Sequence, residues 1–300
     1  MTSSFTPTLL PALRHNRCPA RHNHWVVTCV DDTAYEPLLV PFLASLIGVA
    51  KWRGSIAVFA YNLRQERVQR LRDLGIAVEQ MTPRYFINLD RFVHLGAFAG
   101  RHGGIIGQWD ADVWFTQSLD RLFDQYSEFH GERLVCNVDA GFQESCYGVA
   151  SDKRCRQRVK HVLESIQRSF GMILQCGFVC GAAATIRRFS SYLENLIVTR
   201  EFLPKWNSDT VGLNYFCYYH PDWVHVSDNC YNCLPDHNPL RIGSEFFLES
   251  RKIHALHITS PWRASPEGRF FSFKDVYPEL HDQWSERLRC DSKQAFQETE

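Results

Sequence analysis

An excess of charge of either sign is missing from this 300-residue chain: 33 Lys and Arg stand against 33 Asp and Glu, for a formal net charge of +0. A duplex-DNA partner would favour a clear basic excess, so no nucleic acid is expected as a ligand. A membrane-length apolar run is missing too. The longest, Pro37 to Ala50, falls short of the ~20 residues a bilayer helix needs, and it carries Pro41. It reads as a buried helix, and no transmembrane segment is expected. Met1 to His24 holds no continuous apolar core of the signal-peptide type. The even cysteine set of a secreted disulfide framework is lacking: the 11 cysteines are scattered through apolar segments, for example Cys29, Cys136, Cys176, Cys180 and Cys217. Together these absences point to reduced, buried thiols in a cytoplasmic protein. Internal repeats and low-complexity tracts are also lacking.

What is present is ordinary globular composition, 45% hydrophobic and 22% charged. A chain of this length buries roughly three-quarters of its surface on folding. No linker divides it, so one domain is expected over 24–290, with halves 24–125 and 126–290. Residues 1–23 read as an irregular lead-in and 291–300 as a polar tail. Inside the domain, strand and helix patterns alternate. Strands are expected at Trp25–Val30, Ser55–Tyr61, from Ile76, and at Gly104–Trp109. Between them, Asp31, Asp32 and Thr33 cap a helix through Ala50, Arg64–Leu74 forms a helix stopped by Gly75, and Asp90–Gly100 forms another. This order predicts an α/β fold with a mostly parallel sheet and helices on both faces. The second half reads as strands at Leu134–Val138, Phe178–Ala183 and Lys252–Ile258, with helices at Arg154–Ser169, Ile186–Thr199 and Ser208–Tyr218. It is expected as a mixed C-terminal extension walling the same site.

In such folds ligands sit beyond the carboxyl ends of the strands. The apolar strand ending at Trp109 runs straight into Asp110-Ala111-Asp112. Two carboxylates one residue apart at a strand end suit Mg²⁺ or Mn²⁺, which completes its shell with phosphates and water. An Asp-x-Asp also arises by chance as a solvated turn. Here the bulk of Trp109, Val113, Trp114 and Phe115 argues for charges with a partner.

Around these residues the chain resembles glycosyltransferases of the GT-A (Rossmann-like) fold, and most resembles their family 8. The resemblance is piecemeal over about 25–265. Val26 to Tyr35 is similar to the family's opening strand and uridine loop, which implies Thr28, Cys29, Asp32 and Tyr35 near base and ribose. Gln108 to Val113 is similar to its strand and Asp-x-Asp, and Ser118 to Phe123 to the helical turn that follows. Arg91 resembles a basic residue near the donor, and Gln175-Cys176-Gly177 the segment lining the sugar pocket. Asn207 to Asn214 resembles the helix beside the reacting carbon, which brings in Asp209; Tyr231-Asn232 matches a following pair. Ile253 to Trp262 resembles the strand whose histidine binds metal before Pro-Trp. His254 has the family's spacing to Pro261-Trp262, whereas His257 sits at the strand end; His257 is favoured as the third metal ligand beside Asp110 and Asp112. The chain departs from the family at Thr210 (for Gln), Gln175 (for Asn) and Ser260 (for Lys), and Arg263 is near enough to replace that last cation.

The resemblance implies transfer of a sugar from a nucleotide-sugar, a UDP-sugar, to the hydroxyl of a glycan, small-molecule or protein acceptor, with retention and with Mn²⁺ or Mg²⁺. Asp209 is the catalytic candidate; the donor-binding set is Thr28, Cys29, Asp32, Tyr35, Arg91, Gln175 and Trp262. Plainer readings exist: Asp209 as a helix cap, Tyr35 as a core aromatic, Arg91 as a surface residue. Cys230-x-x-Cys233 has the spacing of half a zinc site, with Cys176 and Cys180 as the other half; those two would point the same way from one strand. A sugar nucleotidyltransferase would carry a Gly-rich loop after the first strand, and none is there. A GT-A-like scaffold that binds a nucleotide-sugar without turnover is the non-catalytic alternative.

Overall fold

The computed structural model describes residues 23–124, 126 and 132–289; most of the lead-in and the polar tail lie outside them. In chain order the first strands are β1 (His24–Asp31), β2 (Ser55–Tyr61), β3 (Ala77–Met81), β4 (Ile105–Trp109) and β5 (Val113–Phe115). Then come β6 (Leu134–Val138), β7 (Leu174–Ala182), β8 (Val224–Val226), β9 (Leu240–Ile242), β10 (Glu245–Leu248), β11 (Arg251–Lys252) and β12 (Ala255–His257). The helices that matter below are α1 (Val40–Ala44), α2 (Gln65–Asp73), α3 (Ile87–His102), α4 (Asp120–Asp124), α5 (Lys153–Phe170), α6 (Ala183–Val198), α7 (Ser208–Tyr219), α8 (Ser260–Ala264), α9 (Phe273–Val276) and α10 (Pro278–Leu288).

Seven strands form one sheet in the order β3-β2-β1-β4-β7-β6-β8. The first four are parallel, β7 runs antiparallel between β4 and β6, and β8 is parallel to β6. Side chains alternate across the first strands, as the two-residue period requires. Val26, Val30, Val58 and Ala60 enter one core with Phe42, Trp284 and Leu288. Val27, Ala57, Phe59 and Tyr61 enter the other, against Phe92 and Phe98 of α3 and Phe189 of α6. Each large apolar side chain buried this way contributes about 1.5–3 kcal/mol. The first core joins Val26 to Leu288, so both ends of the described chain share one interior. A third core packs α5 against α7 through Val159, Leu163, Val211 and Tyr215. No helix among the described residues is long and apolar enough to cross a membrane.

Three elements differ from the pattern reading. The helix after β1 is α-helical only over α1; π-helical turns at Tyr35–Leu39 and Ser45–Val49 flank it. Pro41 lacks an N–H and its ring crowds the carbonyl four residues back, and a wider turn relieves both. The late strand expected over Lys252–Ile258 divides. Its first residues pair with β10, while β12 pairs antiparallel with β5, a strand too short to announce itself. Finally, β7 begins four residues earlier than its apolar run suggests, because Gln175 and Gly177 interrupt that run. The register against β6 slips between Cys136 and Asn137, the mark of a bulge. The slip sends Cys176 to the second core and Cys180 to the first, so the two thiols do not point the same way. The nine described cysteines are all unbonded, and no group of three potential metal ligands among the described residues includes Cys230 or Cys233.

Candidate active site

The Asp-x-Asp pair follows directly on β4. Asp110 N–H donates to the Gly177 carbonyl (3.0 Å), and the Asp110 carbonyl accepts from Val113 N–H (3.1 Å). These bonds turn the chain tightly into β5 and send both carboxylates to one side. β12 returns antiparallel to β5 and delivers His257 beside them. One ligand atom from each of Asp110, Asp112 and His257 lies within 4.8 Å of the other two. His257 Nε2 is 3.1 Å from Asp112 Oδ1 and 3.8 Å from Asp110 Oδ2. His254 goes elsewhere: its ring stacks on Tyr231 at 4.7 Å, and Nδ1 meets the Ser118 carbonyl at 2.6 Å. Two carboxylates and one imidazole make a hard, compact donor set that fits Mn²⁺ or Mg²⁺.

Two arginines hold the same carboxylates. Arg91, 5% exposed, bonds Asp110 Oδ1 with one nitrogen and Asp209 Oδ2 (3.1 Å) and the Cys176 carbonyl (3.2 Å) with the other. Arg263 Nη1 donates to Asp112 Oδ2 at 2.9 Å. Burial alone would raise the Asp112 carboxyl, but His257 and then Arg263 pull it down to about 2. For His257 burial acts downward and the Asp112 carboxylate overrides it, leaving the imidazole above its usual value. Asp209 is the opposite case: burial raises its carboxyl, and Arg91 only partly offsets this. Asn207, not Asp209, is the cap residue of α7, and it makes no side-chain cap bond.

Gln175 supports the histidine from behind. Its Oε1 accepts from Gly177 N–H (2.9 Å) and Asn232 Nδ2 (2.5 Å), which leaves Nε2 to donate to His257 Nδ1 at 3.2 Å. With Nδ1 accepting, the neutral ring carries its proton on Nε2, toward Asp112; this tautomer is assigned from the hydrogen-bond network. The bulge residue must be glycine: a Cβ on Gly177 would stand 2.6 Å from His257 Nδ1 and 2.7 Å from Gln175 Nε2.

The remaining residues named from sequence divide. Cys29, partly exposed, neighbours Arg91; burial pushes its thiol up to about 11. Thr28 is fully buried with its hydroxyl unpartnered. Asp32 is held by Arg64 (2.9 Å) and Arg67 (3.1 Å). Tyr35 is not brought to the cleft. It is fully buried, Arg67 lies over its ring at 4.6 Å, and its hydroxyl donates to the Leu288 carbonyl (3.2 Å) at the end of α10. Trp262 sits half-buried on α8, its indole N–H donating to Asp236 at 2.8 Å. Beside Asp112 opens a cavity of about 280 Å³ whose lining includes Pro37, Pro41, Arg263, Arg269, Lys274 and His281. Asp139 was missed. It is 7% exposed, its carboxyl is raised by burial, and it accepts from Ala140 N–H at 2.8 Å. Like Asp110 it directly follows an apolar strand, a signal the sequence did carry.

Several solved structures share this fold. Mouse xyloside xylosyltransferase 1 matches with a TM-score of 0.52 at 11% identity, over 81% of this chain and 99% of that one. The fold is that of the GT-A glycosyltransferases. An active-site mutant of LgtC matches with a TM-score of 0.53 at 13% identity, over 88% of this chain and 94% of that one. The bifunctional glycosyltransferase WbbM matches with a TM-score of 0.55 at 13% identity, over 91% of this chain and 50% of that one. At the level of sequence no family model and no curated protein matches.

Proposed function

We propose that the chain is a metal-dependent glycosyltransferase, related to family 8, that moves a sugar from a UDP-sugar to an acceptor hydroxyl with retention. The observation that carries this reading is the convergence of Asp110, Asp112 and His257 within 4.8 Å just beyond β4 of a GT-A fold. These three residues would hold Mn²⁺ or Mg²⁺, which would supply positive charge against the charge gathering on the departing diphosphate. To ligate through Nε2, His257 must give up the proton it now shares with Asp112.

The rest is done by the chain's own groups. The cavity beside Asp112 takes the nucleoside diphosphate, and its cations Arg263, Arg269 and Lys274 face the phosphates. Arg263 then exchanges its bond to Asp112 for one to a phosphate oxygen. Arg91 fixes Asp110 and Asp209 relative to each other through one rigid guanidinium. Asp209, with a carboxyl raised by burial, accepts hydroxyls of the donor sugar beside the anomeric carbon.

The test is release of nucleoside diphosphate from a panel of UDP- and GDP-sugars, with Mn²⁺ or with chelator. Metal-dependent release from one donor, lost in Asp110→Ala and Asp112→Ala, is the expected result. No release together with no metal-dependent donor binding by calorimetry refutes the proposal and leaves a scaffold role.

A further inference from the structure

The mechanism above leaves several exposed aromatic side chains unused, and two of them touch. Trp206 is 58% exposed and Phe86 39%, and their rings meet edge to face with centroids 6.1 Å apart. Large apolar groups held in water mark contact surfaces more often than single scattered ones do.

Both belong to segments tied to the Arg91–Asp209 pair. Phe86 closes a turn in which the Arg84 and Tyr85 amides donate to Asp90 Oδ1 at 3.1 and 3.2 Å, and Arg91 is the next residue of α3. Trp206 precedes Asn207, whose left-handed backbone (φ 68°) turns the chain into α7, two residues before Asp209. Arg91 and Asp209 are themselves bonded at 3.1 Å. The turn bearing Trp206 is also fixed. Leu203 N–H donates to the Val149 carbonyl (2.8 Å), Lys205 N–H to Ser208 Oγ (2.7 Å), and Asn207 Nδ2 to Ser145 Oγ (2.7 Å). The indole is thus presented on an anchored turn, its ordering cost already met in the fold.

A pyranose ring has one C–H face and an edge of hydroxyls. It fits an aromatic plane flanked by polar groups, and the exposed Ser145 is hydrogen-bonded to Asn207, the residue after Trp206. Ion pairs link Arg263, Asp112, His257, Asp110, Arg91 and Asp209 in that order, and Phe86 and Trp206 stand just before Arg91 and Asp209 in sequence. Neither ring lines the cationic cavity beside Asp112. We infer that Trp206, supported by Phe86, is a stacking platform for a sugar ring of the acceptor, and that the acceptor is a glycan. The inference rests on the proposed glycosyl transfer, with the donor at the Asp112 end.

Immobilised mono- to tetrasaccharides of varied composition serve as the probe. Binding of wild type, Trp206→Ala and Trp206→Phe is measured with Mn²⁺ and UDP present, and thermal unfolding confirms that each variant folds. Wild type binds a subset of glycans; Trp206→Ala loses at least about 10-fold, the size of a lost aromatic stacking contact, and Trp206→Phe retains most binding. Equal binding by Trp206→Ala overturns the inference. So does a blank array from a protein that still binds UDP with metal, since the acceptor is then not carbohydrate. Loss of UDP-sugar binding in Trp206→Ala with unchanged array binding moves the platform to the donor and overturns it too. Failure of wild type to bind UDP at all sinks the transferase reading itself, a separate result.

Discussion

Arg91→Met, studied in chelator, isolates what holds the site together without metal. Methionine nearly matches the arginine stem but removes the charge that lies between Asp110 and Asp209. The arginine is 5% exposed and the Asp209 side chain 6%, so water cannot replace it. Removing one partner of a buried ion pair costs about 3–5 kcal/mol, because the other charge stays buried and unpaired. The loss depends on pH. Asp209 is already raised above its ordinary 3.8 by burial, with Arg91 opposing. Without Arg91 it rises further. A carboxyl raised in the folded state binds a proton there that the unfolded state has released. Stability therefore falls as pH rises through that window and recovers on acidification. Urea unfolding of both proteins at about pH 5 and about pH 8 should show the variant's deficit shrinking at the lower pH. A deficit below about 1 kcal/mol, or one equal at both pH values, would refute the buried-pair argument.

Gly177→Ala forces His257 or Gln175 to move and costs about 1–3 kcal/mol of overpacking; Mn²⁺ affinity by calorimetry should fall at least about 10-fold, and unchanged affinity would remove His257 from the ligand set. Because the Asp112 carboxylate raises His257, the imidazole stays protonated beyond its ordinary 6.5, so Mn²⁺ affinity should climb as pH rises past that value. Without metal, the stabilisation from His257 is full below 6.5 and lost as pH rises through its folded value, while that from Asp112 is present above 3.8 and lost as pH falls toward about 2. A flat Mn²⁺ titration by electron paramagnetic resonance across that range contradicts this coupling. Gln175→Glu places an acceptor behind Nδ1 and frees Nε2 for metal, so Mn²⁺ should bind roughly 10-fold tighter; weaker or equal binding means that the amide does not set the tautomer.

Much of the fold was legible because the first half is a repeated βα pattern in which apolar runs and helical periods alternate cleanly. β1, β2 and α2 fall within a residue or two of their sequence limits. Legibility failed where elements are short or polar. β5 and β8 have three residues each, too few to show a period, and they exist through pairing with distant strands. α10 is amphipathic and ends in the first core through Trp284 and Leu288, but its polar sequence next to the tail hid it. Tyr35 shows the limit for sites. The family resemblance implied a nucleotide contact, with a core aromatic as the plainer reading, and the structure buries the ring with its hydroxyl on the Leu288 carbonyl of α10.

Local sequence determined the strand that ends in Asp110 and Asp112, because an apolar run and the turn after it are properties of neighbouring residues. It also determined that the charges balance and that the described cysteines lie in apolar surroundings. Which histidine joins the acidic pair was decided only by tertiary structure. His254 and His257 are three residues apart, and the pairing of β12 with β5 sends one to Tyr231 and the other to Asp112. The bulge at Gly177 likewise turns Gln175 toward His257, and Arg91 meets Asp209 across 118 residues. Such contacts come from sheet register and helix packing, where a slip of one residue reverses which face a side chain occupies.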